Sequence, residues 1–201
     1  MPPLQSTMVS LGTPCPAFDL ADPRGFRMSR DDAHGRPLLV LFLCNHCPFV
    51  KHVRAEVAAI AREWIPRGVV VVAISSNDPD AYPDDAPAKM AAEACEAGYC
   101  FPYLFDDSQA VARAFDAQCT PDCFLYDSSH RLVYRGQIDD SRPKSGMPVT
   151  GADLRAALEA VVHGRAPAAE QKPSIGCSIK WRSTPTPSVP QTPPELRSGC
   201  V

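Results

Sequence analysis

Leu38-Leu39-Val40-Leu41-Phe42-Leu43-Cys44-Asn45-His46-Cys47-Pro48 is the stretch that decides the fold. A continuous apolar run ends in two cysteines with two residues between them, and helical spacing follows. Phe49, Val53, Val57, Ile60 and Trp64 fall on one helix face. Pro48 suits the first turn, where its missing N–H would have had no intrahelical partner. Gly68 marks the end. Val69 to Ile74 is then a β-branched run bounded by polar residues, which predicts a strand buried on both faces of a helix-covered sheet. Leu38 to Ile74 is therefore a βαβ unit. Its cysteines sit at the carboxyl edge of the first strand, where open α/β sheets place their sites.

The chemistry follows from that placement. The first turn of a helix carries unpaired N–H groups and the positive end of the dipole, and both stabilise a thiolate. The thiolate is the species that attacks disulfides. A bare Cys-x-x-Cys is also half of a zinc site, or a structural pair. Zinc usually takes a second pair at matching spacing. No second Cys-x-x-Cys exists here, and His34, His46, His52, His130 and His163 form no ligand pair of the usual kind. The strand–cysteines–helix context favours redox chemistry.

A formal charge of −3 gives no electrostatic case for nucleic acid or an anionic membrane. The first residues lack the basic start and apolar core of a signal peptide, and no apolar stretch is long enough to span a bilayer. The expectation is a cytoplasmic protein, in a compartment where thiols are kept reduced. Nine cysteines there point to reactivity rather than a disulfide framework, and the odd number leaves one unpaired. Twenty-two prolines are about twice the usual ~5% share, and many crowd the C-terminal end. Three parts are expected: a domain over 1–165, an extension over 166–182 that packs on it, and a Pro-rich disordered tail over 183–201.

Along the chain, Phe18 to Leu20 and Phe26 to Met28 predict an N-terminal hairpin, and Ser29 to Ala33 one helical turn. Asp84 or Asp85 is positioned to cap an Ala-rich helix running to Ala97. Tyr103 to Phe105 predicts a strand and Gln109 to Phe115 a helix. Cys123 to Asp127 and Leu132 to Gly136 form a second hairpin, which makes the sheet mixed. Gly151 to His163 is a last amphipathic helix.

Several stretches together resemble the thioredoxin superfamily, in particular bacterial redoxin-domain proteins related to the AhpC/TSA peroxiredoxins. They are Leu11-Gly12-Thr13-Pro14, Cys44-Asn45-His46-Cys47-Pro48-Phe49-Val50-Lys51-His52, Ser75-Ser76-Asn77-Asp78, Cys119-Thr120-Pro121-Asp122, Tyr134 to Pro143 and Lys172 to Trp181. The resemblance runs from about Leu11 to Trp181. It implies an α/β thioredoxin fold with an N-terminal β-hairpin, an inserted αβ segment and a mixed central sheet flanked by helices. It also implies a cis peptide at Pro121 facing Cys44 and Cys47. A cis X-Pro turns the backbone so that the preceding residue, Thr120, offers its N–H and C=O to an incoming chain.

Cys44 is the candidate nucleophile, as the accessible member of the pair, and Cys47 the resolving thiol. Asn45, His46, Pro48, Thr120 and Pro121 are candidate tuning or substrate-facing residues, His46 by stabilising the Cys44 thiolate. Cys119 and Cys177 are accessory thiols: the tail folding back through Ile179 and Trp181 would bring Cys177 to the site. Cys15, Cys95 and Cys100 are expected as buried or half-buried residues, Cys123 as a strand residue and Cys200 as an exposed tail thiol. Asp139, Asp140 and Arg142 either pair with each other or form a partner-orienting loop. Asn77 and Asp78 are expected to cap or turn.

Three functions compete. The first is a dithiol oxidoreductase that needs no cofactor, acts on a protein or small-molecule disulfide and is served by a thiol reductant system. The second is a thiol peroxidase acting through a sulfenic acid. Against it, the peroxiredoxin pattern Pro-x-x-x-Thr-x-x-Cys placed on Cys47 puts Cys44 where the Thr belongs and Val40 where the Pro belongs. The third is a soft-metal (copper or zinc) module using Cys44, Cys47 and either Cys119 or His46; thioredoxin-fold copper chaperones use a three-residue spacing instead.

Overall fold

Strand β4 (Leu38–Phe42) is buried at all five positions and lies at the heart of the molecule. It pairs in parallel with β5 (Val70–Ser75) and antiparallel with β8 (Asp122–Tyr126). The computed structural model describes residues 3–182 of the chain, so the expected disordered tail and Cys200 lie outside the described residues. The remaining elements of the main sheet are β2 (Asp19–Ala21), β3 (Arg27–Ser29), β6 (Tyr103–Phe105) and β9 (Leu132–Gly136). The seven strands run in the order β3-β2-β6-β5-β4-β8-β9. β5 and β6 are parallel while the two hairpins are antiparallel, which gives the mixed sheet expected of a thioredoxin fold.

Alternation along β4 splits the core in two. Leu39, Leu41 and Leu43 face α1 (Pro48–Trp64), α2 (Pro87–Glu96) and α4 (Ala152–Val162). Leu38, Val40 and Phe42 face a second cluster with Phe18, Phe115, Phe124 and Ile179, near α3 (Ala110–Ala114). Phe115 meets Phe42, Phe124 and Tyr126 edge-on, the arrangement that ring quadrupoles favour. Each such large side chain contributes about 1.5–3 kcal/mol on burial. Among the described residues no helix is long and apolar enough to cross a membrane.

The N-terminal hairpin forms one residue later than expected, with Leu20 opposite Met28. A larger difference is a second sheet. β1 (Leu4–Gln5), β10 (Ile175–Ser178) and β7 (Cys119–Thr120) pair in the order β1-β10-β7, all antiparallel. Strands of two to four residues carry too little alternation to announce themselves. The segment beyond β10 buries Ile179 but leaves Trp181 37% exposed beneath Arg113. Cys95 and Cys100 are exposed, not buried, because α2 turns Met90 and Ala94 inward instead. Asp84 and Asp85 do not cap α2: its N-cap is Ala86, and Asp85 ends a short 3-10 turn (Pro83–Asp85) with its carboxylate turned into the protein.

Arg135 on β9 is fully buried, 3.4 Å from the equally buried Asp122, and lies over the Phe124 ring. Burial pushes Asp122 up to about 6 against the pull of Arg135. Removing one partner of such a pair strands the other charge at a cost of about 3–5 kcal/mol. Arg135→Met is therefore expected to lose about that much stability in urea unfolding at pH 7.5, and less at pH 5, where Asp122 takes up a proton. An equal loss at both pH values would contradict this account of the pair.

Candidate redox site

α1 starts where β4 stops, and the turn between them presents Cys44 to Cys47. Cys47 is the N-cap of α1 and the exposed Pro48 its first residue. Cys44 and Cys47 are 1% and 0% exposed, so accessibility does not single out Cys44 as sequence reasoning expected. Both thiols are free, and both meet Thr120. Cys44 Sγ is 3.1 Å from Thr120 Oγ1, and the Cys47 thiol donates to the Thr120 carbonyl at 3.2 Å. The Thr120–Pro121 peptide is cis, as the resemblance implied.

The two buried thiols differ in electrostatic surroundings. Donation to Cys47, burial and the nearby Asp85 carboxylate hold the Cys44 thiol well above its ordinary value. The same hydrogen bond lowers Cys47, aided by the Cys177 thiol and the Val50 N–H in the first turn of α1. The expected thiolate on Cys44 is the other arrangement of the same pair. The two Thr120 contacts fit the complementary state: once the Cys44 proton passes to Cys47, Thr120 Oγ1 donates to the Cys44 thiolate while the Cys47 thiol donates to the Thr120 carbonyl.

Asp85 is the residue that sequence reasoning missed. Its buried carboxylate accepts the Asn45 N–H at 2.7 Å, the His46 N–H at 3.3 Å and the Asn77 side-chain N–H at 2.8 Å, and it meets His46 Nδ1 at 2.5 Å. His46 thus makes its hydrogen bond to Asp85 while an imidazole nitrogen stays within 4.8 Å of Cys44 Sγ, with its ring stacked on Tyr82. Asn45 donates to the Asp84 carbonyl and accepts from the buried Tyr103 hydroxyl. Asn77, expected only to cap or turn, ties Asp85 to the C-terminal segment by accepting the Lys180 N–H. The one available signal was the run of turn formers Ser76 to Asp80 on a neighbouring strand end.

Cys177 is half-buried on β10 opposite Thr120, whose carbonyl accepts from the Cys47 thiol, and it packs against the core cluster that contains Cys47. Burial and Cys47 push its thiol up to about 12. Cys119 is fully buried, and burial raises it far above its ordinary value. Arg142 does not pair with the Asp139 carboxylate: it donates to the carbonyls of Asp139 and Ser141, while the carboxylate accepts from Ser141, Thr150 and Gly151 and pins this loop to the start of α4. Pro121, Asp139 and Arg142 line one small cleft.

The expected metal set also changes. Cys44, His46 and Asp85 place ligand atoms within 4.8 Å of one another, with neither Cys47 nor Cys119 in the group. Both Asp85 oxygens are already engaged by N–H donors and His46. A cation would have to break the His46–Asp85 contact to enter.

Burial pushes Asp85 up, but the hydrogen bonds from His46, Asn77 and Asn45 outweigh it and leave its carboxyl below the ordinary value. A lowered folded-state pKa adds stability that is complete above the unfolded value of about 3.9 and is lost as pH falls through the folded value. The stability gap between the wild type and Asp85→Asn should therefore be constant near pH 5 and shrink on acidification below about pH 4. A gap that stays flat down to pH 2.5 would refute this role.

Residues 11–135 match the family model described as the AhpC/TSA family. A crystal structure of an uncharacterised conserved protein from Geobacillus kaustophilus is 49% identical, with TM-score 0.89 over 92% of this chain and 98% of that one. A hypothetical protein from Sinorhizobium meliloti 1021 is 48% identical, with TM-score 0.88 over 90% and 99%. A thiol:disulfide interchange protein of the thioredoxin family from Chlorobium tepidum is 18% identical, with TM-score 0.60 over 77% and 99%, a likeness of fold. Among curated proteins nothing matches. The family match covers more than half of the residues: the chain belongs to the AhpC/TSA family, with redox chemistry carried on a thioredoxin-like fold.

Proposed function

We propose that the protein is a thiol–disulfide oxidoreductase in which Cys44 and Cys47 cycle between dithiol and disulfide. The carrying observation is that one residue, Thr120, contacts both sulfurs, its hydroxyl hydrogen-bonded with Cys44 and its carbonyl accepting from Cys47. Cys44 passes its proton to Cys47 and attacks a disulfide of a protein or small molecule, and one half of the substrate leaves as a thiol. Cys47 then attacks the mixed disulfide, the Cys44–Cys47 bond forms, and the second half leaves. A thiol reductant returns the pair to the dithiol in a reducing, cytoplasmic setting.

The peroxidase reading draws on the family membership alone. Against it, Cys44 occupies the position where the peroxiredoxin pattern has its threonine. A metal reading has the Cys44–His46–Asp85 group behind it. Zinc that binds the reduced protein and is lost in Asp85→Asn would favour that reading.

The test is exchange with a model disulfide. Cys47→Ser should accumulate a mixed disulfide on Cys44, detectable by peptide mass mapping, while Cys44→Ser should lose turnover by at least a hundredfold. A Cys47→Ser protein that carries its adduct on another cysteine would sink the assignment. His46 gives a second check. Its removal takes the one imidazole from the Asp85 charge facing Cys44 and leaves only the Asn45 and Asn77 N–H donors, which disfavours the thiolate and stabilises the disulfide. His46→Pro should lower the reduction potential, by about 30 mV per ~1.4 kcal/mol of thiolate destabilisation. No shift, or a rise, would refute it.

A further inference from the structure

β10 occupies the edge that a cis X-Pro leaves open for an incoming chain. Its residues run antiparallel to β7, with Cys177 opposite Thr120 and Ser178 opposite Cys119. The approach is close enough to require glycine: a Cβ on Gly176 would lie 1.9 Å from the Thr120 carbonyl oxygen. The segment is fastened again beyond the strand, where Lys180 donates its N–H to Asn77 and accepts the Asp78 N–H and the Gln109 amide through its carbonyl. This is the geometry of strand addition by a peptide substrate, filled by the chain itself. The residue at the substrate position, Cys177, lies opposite Thr120, whose carbonyl accepts from the Cys47 thiol, and packs against the core cluster that contains Cys47.

We propose that Cys177 is a third redox thiol, which takes over the disulfide from Cys44 by attacking Cys47. The proposal rests on the Cys44–Cys47 cycle described above. In the step, Cys177 Sγ attacks Cys47 Sγ of the Cys44–Cys47 disulfide. The Cys47–Cys177 bond forms, the Cys44–Cys47 bond breaks, and the Cys177 proton ends on Cys44. One disulfide is exchanged for another, so no external oxidant or reductant enters. In the reduced state burial, and after it Cys47, hold the proton on Cys177. Once Cys47 is in a disulfide its contribution is gone, and the Lys180 ammonium, bound to Ser178 on the same strand, favours the Cys177 thiolate. The exchange frees Cys44 for a second attack and moves the oxidised bond onto a half-buried strand that a reductant reaches by lifting β10.

The test is disulfide mapping of the full-length protein. Wild type, Cys44→Ser, Cys177→Ser and Gly176→Val are reduced, treated with one equivalent of dithiodipyridine, acid-quenched, alkylated and digested. Wild type should contain both the Cys44–Cys47 and the Cys47–Cys177 linkages. Cys44→Ser should contain Cys47–Cys177 in most of the monomer. Gly176→Val, which pushes β10 off β7, should reduce the Cys47–Cys177 linkage at least tenfold while keeping Cys44–Cys47. A wild type and a Cys44→Ser protein without the Cys47–Cys177 linkage, or with Cys47 joined to Cys119 instead, would overturn the proposal. Loss of the Cys44–Cys47 linkage from wild type and Cys177→Ser alike would instead strike the dithiol cycle itself, and with it the exchange step.

Discussion

The buried carboxylate of Asp85 holds the redox turn in its shape. It gathers the backbone N–H groups of Asn45 and His46, the ring of His46 and the side chain of Asn77 around one anionic centre. A fully buried carboxylate is costly unless its acceptor sites are filled, and here the filling groups belong to the two residues between the cysteines. The same wiring therefore satisfies Asp85, fixes the path from Cys44 to Cys47 and holds His46 on Asp85 beside Cys44. Through Asn77 it also reaches Lys180, so the turn and the C-terminal segment share an anchor.

Thr120 is the second fixed point. Its hydroxyl and carbonyl meet the two sulfurs from one side, while β10 packs against its backbone from the other. The dithiol is consequently enclosed, with neither sulfur open to solvent. Enclosure strengthens every hydrogen bond to the sulfurs through the low local dielectric. It also means that a large disulfide substrate gains entry through movement of the covering strand. Segments held by a few edge hydrogen bonds are the ones that open at low cost, and β10, flanked by two-residue strands, is of this kind.

The sheet and its helices were legible because local pattern and tertiary role agree. The run Leu38 to Leu43 is apolar because both its faces are buried, and Phe49 to Trp64 is periodic because one face is. Asp85 was illegible for the opposite reason. It lies 39 positions from His46, beside a proline that starts a helix, and a cap is the ordinary use of an acid there. The helix N-terminus argues for a thiolate without specifying which of the two sulfurs holds the proton. The close approach of Gly176 to Thr120 leaves no periodic trace, since a glycine in a short strand signals only that something passes near.

On the proposed reading Cys44 and Cys47 exchange disulfides, and peroxide is not the substrate. A single-turnover reaction of the fully reduced protein, with acid quench and intact-mass analysis, tests this most directly, with hydrogen peroxide in one arm and a model disulfide in the other. The account predicts rapid exchange with the disulfide through a transient adduct and slow oxidation by peroxide. Rapid oxidation by peroxide, through a species heavier by one oxygen that collapses to a disulfide, would contradict it.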